Sequence, residues 1–346
     1  MLLGLVIIAL FFEVNNVASV CPSPDCASCN RKPQISVYHQ YCCLPENNGN
    51  KFELRKNDVV TRFLCPAKGL PYEGVCQEVR GPLYHSCSEV LESFPNATSG
   101  YYNITQSNGS IVSVYCDMEG EACDGSRGWM RIAYTNMTQP NATCPQGLFQ
   151  YDFNNETLCD RNHLESGNGC SATFFSSSGF NYRKVCGKVR GYQYGCVDGI
   201  YFNNGIVIDS IDNAYVDGVS ITHGNNPRQH IWTFAAGDQE YNNGQYDCPC
   251  NTNSAETTPS YVGDDYYCES GASALCHVIN YFPDDPLWDG QECDHLESPC
   301  CVSSSLPWFV KALNKGTTDD IELRICTSEG YPNEATPLDI IEIYIK

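Results

Sequence analysis

Two stretches, Ile321-Glu-Leu-Arg-Ile325 and Leu338-Asp-Ile-Ile-Glu-Ile-Tyr-Ile345, decide the fold class. In the first, Ile321, Leu323 and Ile325 alternate with Glu322 and Arg324. In the second, Ile341, Ile343 and Ile345 alternate with Glu342 and Tyr344. A strand points successive side chains to opposite faces, so this period of two marks half-buried sheet strands. Shorter strand signals precede them at 206–211 (IVIDSI), 215–221 (YVDGVSI) and 230–234 (HIWTF). One short helix is expected over 86–91, with Ser86 as cap and Val90 and Leu91 as its apolar face. The expected fold is α+β and β-rich, with long loops at 236–270 and 277–306. Loops of that length need staples. Cys248, Cys250, Cys268, Cys276, Cys293, Cys300 and Cys301 are placed to supply them.

Length and cysteines divide the chain further. Residues Leu2 to Phe12 are an almost unbroken apolar run, too short to span a bilayer and of signal-peptide length. Val17 and Ser19 stand at the spacing of a signal-peptidase site, so 1–19 is expected to be a signal peptide. All 23 Cys lie at or beyond Cys21, as an exported, disulfide-bonded chain requires. Cys26 and Cys29 form a lone CxxC with no partner pair at zinc spacing, which favours disulfides over a metal. Seven Cys fall in a small module over 20–80, and sixteen in a domain over 83–346. Gly81 and Pro82 are the breakers between them. Seven is odd, so the spare thiol is assigned to the first module, where it is a candidate for an interchain disulfide. No later segment is apolar and long enough for a membrane span.

The chain has 41 acidic and 20 basic residues, a net charge of −21. Such a balance disfavours nucleic acid and anionic membranes and favours cations and mineral surfaces. Six N-x-S/T sequons, at Asn96, Asn103, Asn108, Asn136, Asn141 and Asn155, crowd into one stretch. They mark it as surface that tolerates bulky sugars, which leaves 190–346 as the expected working surface.

The segment 87–131 carries Cys87-Ser-Glu-Val-Leu91, Ser99-Gly-Tyr-Tyr-Asn-Ile104, Val114-Tyr-Cys-Asp-Met118 and Gly128-Trp-Met-Arg131. These pieces resemble the opening of a fibrinogen C-terminal (fibrinogen-related) domain. The resemblance implies a disulfide between Cys87 and Cys116. Beyond Arg131 the family's calcium loop and ligand-pocket Cys pair are not matched. There the chain reads GYQYG (191–195), YVDGVSITHG (215–224), PRQHIWTFAAG (227–237), LWDG (287–290), PWF (307–309) and TTDDIELRIC (317–326). That combination is similar to secreted cnidarian proteins, including proteins of the coral skeletal organic matrix. It implies a disulfide-stapled fibrinogen-like domain behind a small Cys-rich module, and a location more than a mechanism.

No GxSxG, HExxH, P-loop or GxGxxG is present, and paired cysteines make poor nucleophiles, so the chain is not expected to be an enzyme. His223 and His230 flank a turn and are read as loop hydrogen-bonders before ligands. Trp232 alternates with Phe234 and is expected in the core. Trp288, beside Asp289 and Gly290 in a predicted loop, is expected to be exposed, and Trp288 with Asp289 is the candidate ligand contact. Asp264, Asp265, Asp284 and Asp285 are the candidate calcium ligands, since calcium takes loop carboxylates. Asp319-Asp320 is read as a solvated strand end. No other cofactor is expected. The expected function is that of a secreted structural or interaction glycoprotein of an extracellular matrix, a calcified skeletal one being the candidate, acting by adhesion and weak cation or mineral association. Its partners would be matrix proteins, glycans or a mineral surface. The alternative is a fibrinogen-related lectin.

Overall fold

A computed structural model describes the backbone of 51–56 and 59–64, and residues 84–164, 169–195, 197, 199, 216–238, 258, 260–272, 286–291, 306–327 and 329–346. The expected signal peptide, the linker at 80–82, the strand signal at 206–211, and Asp284 and Asp285 lie outside the described residues. The chain divides into two compact units. The first contains β1 (Lys51–Lys56) and β2 (Val59–Leu64), an antiparallel hairpin in register from Lys51 with Leu64 to Lys56 with Val59. It also contains β3 (Gly100–Thr105) and the first residues, Ile111–Ser113, of β4 (Ile111–Asp117).

The second unit is β-rich with one described helix, α1 (Cys87–Ser93). Ser86 caps it as expected, accepting the Glu89 N–H at 3.1 Å, while the Glu89 carboxylate reaches back to the His85 N–H at 2.7 Å. The strands that follow are β5 (Trp129–Asn136), β6 (Phe149–Phe153), β7 (Glu156–Asp160), β8 (Gly169–Phe175) and β9 (Tyr182–Gly191). Next come β10 (Tyr194–Gly195), β11 (Gly218–His223), β12 (Gln229–Asp238) and β13 (Tyr266–Ala272). Last are β14 (Phe309–Thr317), β15 (Ile321–Thr327), β16 (Glu334–Ala335) and β17 (Leu338–Ile345).

Two sheets form the body of this unit. One runs β14-β9-β17-β5-β4, with β7 also meeting β17 and β6 pairing β7. The other runs β13-β12-β11-β15-β8. The two alternating stretches are β17 and β15. Ile341, Ile343 and Ile345 of β17 are buried, as their period predicts. β15 departs from the half-buried expectation. Glu322 is 3% exposed, held by Arg228 at 2.5 Å and Arg324 at 3.1 Å. Its polar face is therefore covered, and the carboxylate is compensated by two guanidinium groups.

The sheets meet through aromatic rings. Phe309 of β14 stacks on Trp232 of β12 at 5.5 Å and packs edge-on against Phe234 at 5.5 Å. Gly187, its register partner on β9, has no side chain where the Phe309 ring lies, and a Cβ there would collide with that ring. The predicted loop at 236–270 is partly sheet: β12 extends to Asp238, and β13 runs parallel to it. Tyr267, Cys268 and Glu269 are buried in succession, so β13 carries no period-two signal to read.

Cys123–Cys186, Cys144–Cys159 and Cys170–Cys326 join Cys87–Cys116 as the disulfides with both partners described, and Cys268 is also disulfide-bonded. Cys170 and Cys326 are register partners on β8 and β15, yet 156 residues apart in sequence. Loop-closure entropy grows with the logarithm of that separation. Replacing both with Ser is expected to cost about 5 kcal/mol. Replacing Cys144 and Cys159, 15 residues apart, is expected to cost about 3 kcal/mol. Denaturant titration of the two paired variants checks the ranking.

Candidate functional site

The segment with the quoted motifs folds around one carboxylate. Asp117, at the end of β4, is 2% exposed. Its Oδ1 accepts the Ser99 hydroxyl at 3.2 Å and the backbone N–H groups of Glu119, Gly120 and Glu121, and its Oδ2 accepts that of Ala122 at 3.0 Å. A carboxylate with this many donors fixes the turn that follows it. Gly120 permits that turn, since its φ is +76° and a Cβ would strike the Gly125 carbonyl. The Arg127 guanidinium closes the other side on the carbonyls of Met118 and Ala97. Cys87 and Cys116 are bonded to each other immediately beside this turn. Trp129, fully buried, donates from Nε1 to the Ser126 hydroxyl at 3.0 Å. Asp117, Cys116 and Trp129 are therefore framework residues.

The face of the β14-β9-β17-β5-β4 sheet opposite the buried isoleucines carries a different population. Tyr115, Arg131 and Tyr344 are aligned across β4, β5 and β17, and Tyr344 aligns with Cys186 on β9. Tyr134, Glu342 and Lys188 form the adjacent row. A bulge creates this arrangement. Ile343 pairs with Ala133 but Tyr344 pairs with Arg131, so Ile132 is an extra residue. Arg131 and Tyr134, three apart in sequence, thereby share a face. The Arg131 guanidinium lies 4.1 Å from the Tyr115 ring centre and 4.4 Å from that of Tyr134, and 3.5 Å from Glu342. The Tyr344 hydroxyl donates to the same carboxylate at 2.6 Å. Burial, helped by that carboxylate, pushes the Tyr344 phenol far above its ordinary range. Trp308 meets the Tyr344 ring edge-on at 5.9 Å, and the Lys188 ammonium stands 5.4 Å from the Trp308 ring. Tyr134 is 44% exposed and Trp308 half-buried. The result is a patch of aromatic rings interleaved with charges, in which Tyr134 is exposed, Lys188 and Trp308 are half-buried, and Tyr344 is buried.

The structure redistributes the sequence candidates. Trp288 is not exposed: its side chain is fully buried against Phe234, its Nε1 donates to the Ala235 carbonyl at 3.2 Å, and its backbone N–H donates to Glu269 at 3.0 Å. A loop position placed it outside, but Leu287 bridges to Gly191 and draws the segment into the core. Asp289 is half-buried and accepts the Gln291 N–H, so the Trp288–Asp289 contact surface is withdrawn. Trp232 is in the core as expected. Asp264 is exposed, and Asp265 is ion-paired with Lys311. Among the described residues no group of three or more His, Cys, Asp or Glu is placed to hold a metal. Five sequon asparagines, Asn96, Asn103, Asn108, Asn141 and Asn155, are exposed, and Asn136 is half-buried.

His223 Nδ1 is 2.9 Å from Asp319, and that hydrogen bond, with one from Thr317, holds the Asp319 carboxyl below its usual range. His230 Nε2 is 2.9 Å from the Thr233 hydroxyl. Both histidines are engaged by sheet and loop. A second aromatic group escaped sequence reading. His163 is stacked between Tyr151 at 3.6 Å and Tyr331 at 4.1 Å, with Nε2 on buried Asp160 at 2.9 Å. Tyr194 stacks on Tyr331 at 5.4 Å. Tyr331 is 39% exposed. No sequence spacing links 151, 163, 194 and 331, so only the fold could assemble them.

Two outcomes follow from these contacts. A double-mutant cycle with Arg131→Ala and Tyr134→Ala should give a coupling of about 0.5–1 kcal/mol in denaturant unfolding. Burial lowers the His230 pKa from 6.5 to about 4, against a partial offset from Asp265 and with help from Lys311. As pH falls, the unfolded chain takes up this proton first. The histidine's contribution is therefore intact above 6.5 and is lost down to about 4. The slope is at most about 1.4 kcal/mol per pH unit. His230→Gln should flatten that part of the stability profile in urea titrations at stepped pH.

A scan against models of known protein families matches none of them, and no curated protein matches the chain.

Proposed function

We propose that this chain is a secreted, N-glycosylated interaction protein of an extracellular matrix, fibrinogen-related in its 87–131 segment. In this reading it acts by adhesion at its surfaces and is not an enzyme. The observation that carries it is the sheet face of Tyr115, Arg131, Tyr134, Trp308 and Lys188 on a disulfide-bonded two-sheet scaffold, a working surface drawn partly from the sequon-bearing stretch rather than from 190–346 alone. Such a surface offers a partner contact area and charge together. The fibrinogen-related affinity is supported by the way its motif residues converge on Asp117 and Cys87–Cys116. The cation and mineral association rests on net charge alone, −21 over the chain. A second reading, glycan recognition, is favoured by the exposed Tyr134 and by Trp308 on the same face.

Protein produced through a secretory pathway should carry glycans at the sequons between Asn96 and Asn155 that an endoglycosidase removes. It should adsorb to calcite and to a reconstituted extracellular matrix more strongly than a neutral secreted control. Adsorption no greater than the control's on either surface overturns the reading.

A further inference from the structure

Net charge hides a local reversal. β9 reads Tyr-Arg-Lys-Val-Cys-Gly-Lys-Val-Arg-Gly and β14 reads Phe-Val-Lys-Ala-Leu-Asn-Lys-Gly-Thr. These two hydrogen-bonded strands hold Arg183, Lys184, Lys188, Arg190, Lys311 and Lys315, and not one carboxylate, in a chain where acids outnumber bases 41 to 20. Two of the six are neutralised: Arg190 by Asp339 at 2.5 Å, and Lys311 by Asp265. Arg183, Lys184, Lys188 and Lys315 make no salt bridge among the described residues, and Arg183, Lys184 and Lys315 are exposed. The ladder register, Ala312 with Lys184 and Thr317 with Tyr182, gathers Arg183, Lys184 and Lys315 at one end of the strand pair.

Lys184 and Lys188 alternate with Cys186 and so share the aromatic face. Lys188 stands beside Trp308, and across Glu342 it shares a row with Tyr134, two strand spacings or about 10 Å away. Lys346 extends the cationic margin. Its backbone pairs with Lys184, and its ammonium lies 5.4 Å from the Trp129 ring. Burial and the neighbouring Lys184 hold the Lys346 pKa below its ordinary range, with Asp124 as a partial offset. The acids at this face are Glu342, already engaged by Arg131 and Tyr344, Asp117, Asp124 and Glu121 at its β4 end, and Asp319, engaged by His223, beside Lys315. Burial opposes ionisation of Asp124, but hydrogen bonds from Ser126 and Trp129, with Lys184, hold its carboxyl below the usual range.

We infer that this face binds a sulfated polysaccharide, a partner that resolves the adhesion proposed above into one chemical class and rests on that reading. Sulfates meet Lys184, Lys188, Arg183 and Lys315, while sugar rings lie on Trp308 and Tyr134. Repulsion by the rest of the chain does not forbid this, because charges more than about 8 Å away are largely screened at physiological salt.

The test uses the full glycosylated, disulfide-bonded chain on immobilised heparin, on chemically desulfated heparin and on dextran. Wild-type protein should bind heparin alone and elute progressively with salt. Lys184→Glu with Lys188→Glu should weaken binding by about tenfold or more. Lys184→Ala with Lys315→Ala should weaken it less. The melting temperature of each variant separates lost binding from lost folding. Equal binding to desulfated heparin overturns the inference, as does binding that the charge-reversed variant leaves unchanged. Self-association at low salt without heparin binding assigns the face to a second copy of the chain and also overturns it. Wild-type protein that ignores heparin but still adsorbs to matrix sinks this inference and spares the broader reading. Adsorption to neither sinks both.

Discussion

The second unit depends on the insertion of β17 between β5 and β9. Ile341 pairs with Thr135 on one side and Val189 on the other, and Ile343 with Ala133 and Gly187. A strand hydrogen-bonded on both edges and buried on its inner face satisfies its whole backbone within the sheet. Everything else is positioned from it. β9 brings Cys186 to Cys123 and aligns Gly187 beneath Phe309, and β5 brings Arg131 to Tyr115. Because β17 is late in sequence and its partners are far earlier, the sheet is closed by long-range pairings. Pairings of that kind fold slowly.

Alternation was the legible part of the fold. β15, β17 and the core placement of Trp232 could be read because their apolar residues recur at a fixed period. β13 could not be read, since three successive residues are buried and the strand pairs in parallel with the strand before it. Glu322 misled in a smaller way. A charged residue on a strand suggests a wet face, and two arginines from β15 and from the turn before β12 make a dry one.

The site was less legible than the fold. Trp288 was misplaced because loop and exposed are different properties: a residue between turns can still be drawn inward by one bridge and two hydrogen bonds. The Arg131–Tyr134 contact depends on one bulged residue, Ile132, which no pattern of apolar and polar letters announces. The cationic strand pair was hidden by averaging, since β9 and β14 are far apart in sequence and only pairing makes them one surface. Composition measures a sum, while a partner meets a few square nanometres.

The acid-free ladder also bears on how these molecules coexist at high density. Among the described strands β14 is the last of its sheet, and a strand in that position is the kind that can recruit another chain's strand. Lys315 sits on β14 with no salt bridge among the described residues, and the exposed Arg183 and Lys184 lie beside it on β9. Two copies approaching rim to rim would bring like charges together and would have to strip water from them. The same lysines therefore act as a guard against fibre growth. Copies of this chain held side by side at high concentration would thereby be kept from fusing their sheets into one.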